Sequence, residues 1–265
     1  MIFSATEGKV RLDSGNVPYI KFGRGAGTLV MIPGLRLSDI SGSAGAAAWY
    51  YRIFAKDYTV YMFDKKDNLS SGCTVHDLAG DVAEAMKKLN LGDACVFGAS
   101  QGGMIGQELA INHPESVSKL VLAVTLSRTN ETVQNVINHW ISLAKEGGLS
   151  AVAEDYIYKG YSEKYINRYR AVLPLFIKTQ KFMPAERFIV LAKACLTCNT
   201  YDKLDNIKCP VLVLGGGKDK VVTVEASLEI AEKLNCEYYI YEDLGHEAYN
   251  EAKDFNKRIY EFFAD

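Results

Sequence analysis

The chain has 265 residues, is 48% hydrophobic and carries a formal charge of −2. Those values suit one globular domain and leave no basic surplus for nucleic acid or an anionic membrane. No uninterrupted apolar run reaches the ~20 residues a bilayer-spanning helix needs. The N-terminus, Met1-Ile2-Phe3-Ser4, lacks the charged start and apolar stretch of a signal peptide, so a cytoplasmic location is expected.

In chain order, the first pattern is a hairpin, with strands at residues 9–12 and 18–22 around a turn at 13–16. A strand at 28–32 then runs into Pro33, Gly34 and Leu35. Small residues at 37–45 make a loop before a helix at about 46–55. A strand at 59–63 ends at Asp64. A helix follows at 75–89, with His76 in its first turn, then a strand at 94–97. A second helix runs from Gln101 to about Asn112, where His113 and Pro114 stop it, and strand 118–124 comes next. This alternation implies an α/β fold: a mostly parallel β-sheet flanked by helices on both faces.

The alternation breaks after the sixth strand. Residues 127–184 read as helices rich in large side chains: Trp140, Tyr156, Tyr158, Tyr161, Tyr165, Tyr169, Phe176 and Phe182. We read them as a helical cap inserted over the C-terminal edge of the sheet, where open α/β sheets bind ligands. Core packing explains most of these aromatics, with two or three left for a pocket. A helix from 185 to about 198 returns to the sheet, followed by strands at 211–214 and 237–241 and a terminal helix over 250–263. The organisation is a core at 1–126, a cap at 127–184 and the rest of the core at 185–265, in one compact unit.

Chemistry concentrates at Gly98-Ala99-Ser100-Gln101-Gly102, a G-x-S-x-G sequence between strand and helix. A serine hydroxyl is a weak nucleophile unless a base takes its proton, and a sharp turn lifts it clear of the sheet. Side chains at Gly98 and Gly102 would obstruct that turn, and Gly103 adds clearance. The alternative, a glycine-rich loop cradling a phosphate, has no G-x-G-x-x-G or Walker-type sequence to support it. The helix N-terminus beyond Ser100 suits a developing oxyanion, and the Gln101 N–H is the first expected donor.

Of four histidines, His113 reads as a helix stop, His76 as a capping or surface residue, and His139 lies in a polar, aromatic helix. His246 alone follows a strand, in a loop with Gly245, and is the expected base. Asp219, in the turn beyond strand 211–214, is the expected acid that orients it. Asp64, which more plausibly organises its own loop, and Asp243, close to His246 in sequence, are its rivals. The second oxyanion donor is expected at the Leu35 N–H, after Pro33 and Gly34. The order Ser100, Asp219, His246 is that of α/β-hydrolases.

The chain is similar to the α/β-hydrolase superfamily over nearly its whole length, in the branch with a helical cap. The stretches that carry the resemblance are residues 30–35, 61–64, 96–103, 113–122, 211–222 and 245–246. Three features depart from common members. Pro33-Gly34 stands where His-Gly is frequent. A serine nucleophile argues against the haloalkane dehalogenase and epoxide hydrolase branches. Glu247 follows the histidine where the carbon–carbon hydrolases often have tryptophan. The resemblance is closest to small carboxylesterases and enol-lactone hydrolase-like proteins.

The expected function is a serine hydrolase that cleaves a carboxylic ester of a small, largely apolar substrate through an acyl-enzyme. Lactone, thioester or carbon–carbon hydrolysis and acyl transfer use the same three residues, and a ligand-binding homologue without turnover is a third reading. Neither a metal nor an organic cofactor is expected, and the chain should act as a monomer or homodimer on a small molecule. Six cysteines are spread along the sequence. Cys195 and Cys198 have redox spacing but fall in a helix without a second pair, and Cys95 reads as a buried strand thiol, so free thiols are expected.

Overall fold

The computed structural model describes residues 4–265; residues 1–3, where the reading of the N-terminus begins, lie outside the described residues. The strands are β1 (Thr6–Leu12), β2 (Gly15–Phe22), β3 (Gly27–Ile32), β4 (Tyr58–Phe63), β5 (Ala94–Ala99), β6 (Val117–Ala123), β7 (Val211–Gly216) and β8 (Glu237–Tyr241). They form one sheet in the order β1-β2-β4-β3-β5-β6-β7-β8. β1 and β2 are antiparallel, as are β2 and β4, and every pairing from β4 through β8 is parallel. The fold is therefore α/β with a mostly parallel sheet, as the alternation of patterns implies.

The helices are α1 (Ala44–Tyr50), α2 (Val75–Lys88), α3 (Gln101–Asn112), α4 (Glu131–Glu146), α5 (Gly148–Gly160), α6 (Glu163–Tyr169), α7 (Leu173–Thr179), α8 (Ala185–Cys195), α9 (Val224–Leu234), α10 (Ala248–Glu251) and α11 (Phe255–Ala264). The two-residue period of the inner strands divides the core. Val30, Val96, Leu120 and Val213 face the layer made by α2, α3 and α9, while Leu29, Met31, Phe97, Val121 and Leu214 face α1 and α11. Both sheet faces are thus dry, which is why β3, β5, β6 and β7 read as near-continuous apolar runs. Among the described residues, no helix is long and apolar enough to cross a membrane.

Several boundaries differ from the sequence reading. The first hairpin pairs out to Leu12 and Gly15, leaving a two-residue turn at Asp13 and Ser14, because backbone pairing extends past the apolar pattern. The helix expected at 46–55 is α1 followed by a 3-10 turn, Arg52–Phe54, that turns Phe54 into the core. The terminal helix is split between α10 and α11 by an extended Ala252. α8 stops at Cys195, short of Cys198. Cys95 is only half-buried, beside Ser118.

His76 does not cap α2. Thr74 does: its hydroxyl accepts from the Asp77 N–H at 3.1 Å, and the Asp77 carboxylate accepts from the Thr74 N–H at 2.9 Å. This reciprocal pair satisfies donors that a helix start leaves free. Thr74→Ala should therefore lower the unfolding free energy by about 1 kcal/mol in urea titration, with the denaturant slope unchanged.

Candidate active site

β5 hands directly to α3 through Ser100, whose φ of 53° and ψ of −120° lie outside the regions open to ordinary L-residues. Neighbours hold this strained backbone. The Ser100 N–H donates to the Ala123 carbonyl at 2.8 Å, while its own carbonyl accepts from the Gly103 N–H at 2.8 Å and the Thr125 hydroxyl at 2.7 Å. The turn is also too tight for flanking side chains. A Cβ on Gly98 would lie 2.3 Å from the Gly102 carbonyl oxygen, and one on Gly102 would lie 1.8 Å from that of Ile32. The strain is thus over-determined by packing, as at functional turns generally.

The loops after β7 and β8 bring two more residues to this turn. His246 Nε2 lies 2.9 Å from Ser100 Oγ, and its Nδ1 lies 2.8 Å from Asp219 Oδ2. A carboxylate only accepts, so Nδ1 carries the proton and Nε2 is left to accept from the serine hydroxyl. Asp219 Oδ1 in turn accepts from the N–H groups of Val221 at 2.7 Å and Val222 at 3.0 Å. Side-chain exposure is 3% for His246 and 1% for Asp219, so water scarcely competes for these bonds.

The rivals lie elsewhere. Asp64 accepts from the N–H groups of Ile40 and Lys65 and organises its own loop. Asp243 pairs with Lys218 on the surface. His76 is exposed beside Glu108, His113 ends α3 beside Glu115, and His139 stands half-exposed near Asp155. Gly34 packs against Ser100: a Cβ there would lie 3.1 Å from Ser100 Cβ. Leu35 follows Gly34 directly, so the loop after β3 abuts the turn at Ser100. Among the described residues, neither the Leu35 nor the Gln101 N–H has a protein acceptor. The Gln101 side chain points away, donating to the Leu191 carbonyl at 2.6 Å and to Cys195 Sγ. Burial pushes the thiols of Cys195 and Cys198 up to about 12, so both stay protonated at neutral pH.

A cavity of ≈ 510 Å³ meets the site through Gly34, Leu35, Ala99 and Glu247. Its floor is Met31, Met62 and Phe97 at the sheet edge, and one wall is α1 with Tyr50 and Tyr51. Of the aromatics between β6 and α8, Trp140, Tyr156, Tyr161, Phe176 and Phe182 reach it. That is more than the two or three expected, because α4, α5, α7 and the segments after α5 and α7 each contribute to the lining.

Three lining or adjacent groups escaped the sequence reading: Arg36, Lys65 and Glu247. Only Glu247 drew notice there, as a departure from a family pattern, and nothing in its sequence context marks it as buried. It is 2% exposed. Its carboxylate accepts from the Tyr249 hydroxyl at 2.7 Å and from the Asn250 amide. Desolvation outweighs these bonds and raises its pKa to about 7.

Comparison with known proteins bears on the family and the fold. A family model described as alpha/beta hydrolase fold matches residues 29–253. A putative carbamate hydrolase, RutD, of Rhizobium rhizogenes is 25% identical over 235 residues, covering 85% of this chain and 90% of its own. The 3-oxoadipate enol-lactonase 2 of Acinetobacter baylyi is 25% identical over 222 residues, covering 80% of this chain and 79% of its own. Among solved structures, an enol-lactonase from Burkholderia xenovorans superposes with a TM-score of 0.83 at 21% identity, covering 97% of this chain and all of that one.

The buried Glu247 carboxyl sets a pH dependence of stability. Its folded pKa lies above that of an unfolded glutamate, so its contribution is fully present below about pH 4 and is lost as pH rises through about 7. Glu247→Gln removes this titration. The melting temperature of the variant relative to the parent should therefore rise from about pH 5 to about pH 8, by the equivalent of roughly 2–3 kcal/mol. A gap independent of pH would contradict the assignment.

Proposed function

The chain belongs to the alpha/beta hydrolase fold family, and from that premise we propose that it is a serine hydrolase that cleaves a carboxylic ester of a small, largely apolar substrate. The observation that carries this reading is the continuous hydrogen-bonded run from Asp219 through His246 to Ser100, at 2.8 and 2.9 Å.

In this mechanism Ser100 Oγ attacks the acyl carbon while His246 Nε2 takes its proton. Asp219, fixed by two backbone donors, holds the imidazole and stabilises its charged form. The N–H groups of Leu35 and Gln101 bind the tetrahedral oxyanion, and each such donor is typically worth ~10²–10³ in turnover. The tetrahedral adduct collapses, the carbon–oxygen bond to the alcohol breaks, and His246 returns its proton to the leaving alkoxide. Water then gives a proton to His246 and attacks the acyl-enzyme, releasing the acid and restoring Ser100. None of these steps calls for a metal or an organic cofactor. The apolar floor of Met31, Met62 and Phe97 favours an aliphatic or aromatic group in the cavity. We take the helices between β6 and α8 to be a cap that closes over it, and the working form to be a cytoplasmic monomer or homodimer.

A second reading keeps the three residues and changes the bond. Relatives named for carbamate hydrolysis and for enol-lactone opening act, by those names, on acyl carbons within reach of the same attack. The polar groups Arg36 and Glu247 on the cavity wall would suit a more polar acyl group of that kind.

Hydrolysis of p-nitrophenyl acetate and butyrate at about pH 7.5, with a lactone and a carbamate panel alongside, tests these readings. Ser100→Ala should lower kcat by about 10⁴-fold or more, and Asp219→Asn by about 10⁴-fold, with folding retained. Activity that survives in Ser100→Ala removes the nucleophile. Ligand binding retained in Ser100→Ala, with negligible turnover of every panel member by the parent, would favour a binding protein instead.

A further inference from the structure

Lys65, two residues beyond the end of β4 and directly after Asp64, is a charged side chain with only 5% of its surface exposed. Its ammonium does not pair with a carboxylate. It reaches back to the loop after β3, donating to the Pro33 carbonyl and, at 2.8 Å, to the Gly34 carbonyl. These are two successive peptide units, and the second is the one whose other end is the Leu35 N–H. In a trans peptide the C=O and N–H point in opposite directions. A cation that gathers the Pro33 and Gly34 carbonyls on one side therefore turns the N–H groups of Gly34 and Leu35 to the other, where Gly34 abuts Ser100.

We propose that Lys65 is a positioning residue for the oxyanion: its ammonium pins the loop after β3 so that the Leu35 N–H faces Ser100, and its charge lies behind the developing negative oxygen. This rests on the serine-hydrolase reading above. Binding ester does not require the pinned N–H, whereas holding the tetrahedral oxygen does, so the effect falls on turnover rather than on substrate binding.

Lys65 is itself fixed from several elements. Its backbone N–H donates to Asp64 Oδ1 at 2.8 Å. From α8, Arg187 donates to the carbonyls of Lys65, Lys66 and Asp67 at 2.8–2.9 Å. The charged and titratable groups around the ammonium are Asp64 on its own loop, Arg36 on the loop after β3, and Arg187 and Cys195 on α8. From α2, Asp81 is taken by Lys66 at 2.8 Å. Desolvation outweighs the nearby Asp64 carboxylate and lowers the Lys65 pKa to about 8. The clamp therefore loses its charge within an accessible range: its contribution to turnover should be full below about pH 7 and be lost as pH rises through about 8, giving an alkaline fall in kcat.

The test is the pH profile of kcat and KM for p-nitrophenyl butyrate in the parent, Lys65→Met and Lys65→Gln, with Ser100→Ala as control. The proposal expects Lys65→Met to lower kcat at least about tenfold with KM changed less than about threefold, and to abolish the alkaline fall. Lys65→Gln, which keeps a donor without charge, should recover part of kcat but not the pH dependence. ¹⁵N NMR of the parent's lysine ammonium groups, assigned to Lys65 by the variants or by selective labelling, should give the midpoint of the kinetic fall. It also supplies the answer if Lys65→Met does not fold. Ser100→Ala inactive, with kcat and its alkaline limb unchanged in either folded Lys65 variant, overturns the role of Lys65 alone. A parent kcat that stays flat while Lys65 titrates does the same. Ser100→Ala fully active overturns the serine-hydrolase reading on which the proposal stands.

Discussion

The parallel hydrogen-bond ladder from β4 through β8 is the constraint on which the rest of the structure depends. Parallel strands all leave the sheet at the same edge, so the loops after β3, β5, β7 and β8 emerge side by side. Ser100 and His246 meet at 2.9 Å although 146 positions separate them. The loop holding Gly34 and Leu35 reaches Ser100 because β3 is paired with β5, Ile32 opposite Gly98. A slip of one residue in that ladder would move Leu35 away from the turn and exchange the side chains that face the two core layers.

Burial makes the arrangement both costly and effective. His246 and Asp219 are almost completely removed from water, yet each polar atom of the pair has a protein partner, so the desolvation is largely offset. Glu247 and Lys65, one step along the chain from His246 and Asp64, are less fully compensated. Burial shifts one to about 7 and the other to about 8, each toward its neutral form. Strained backbone at Ser100 adds to the cost. The dry layers on both faces of the sheet, with Phe54, Phe63, Phe188 and Phe255 fully enclosed, supply the stability against which such costs are carried.

The cavity beside the site joins two unlike surfaces. Its floor comes from the ends of β3, β4 and β5 and is fixed by the same ladder. Its remaining walls come from α1, the helices between β6 and α8, and the segment after His246, which adds Tyr249 and Asn250. Those walls carry Tyr50, Tyr51, Tyr156, Tyr161 and Tyr249, and the Tyr50 hydroxyl donates to the Tyr249 carbonyl at 2.5 Å, linking α1 to α10. The cavity walls therefore come from elements that are remote in sequence from the turn carrying Ser100.

The alternation of strand and helix patterns, the turn at 98–102 and the chain order Ser100, Asp219, His246 were legible in the sequence, because each rests on local rules: a two-residue period, a glycine demanded by a close approach, a loop at a strand's C-terminal end. Those rules located β3 to β8 to within a residue or two. They did not find the break at Ala252 or the 3-10 turn that buries Phe54, because both are set by what the segment packs against. Nor could they show that Lys65 turns back to the Pro33 and Gly34 carbonyls, that Glu247 is buried, or which aromatics line the cavity. A charged side chain in sequence reads as surface, and only the assembled layers decide whether water or protein surrounds it. Local sequence determined where Ser100, Asp219 and His246 leave the sheet; tertiary packing alone decided their surroundings, because desolvation and approach distances depend on neighbours the chain brings from far away.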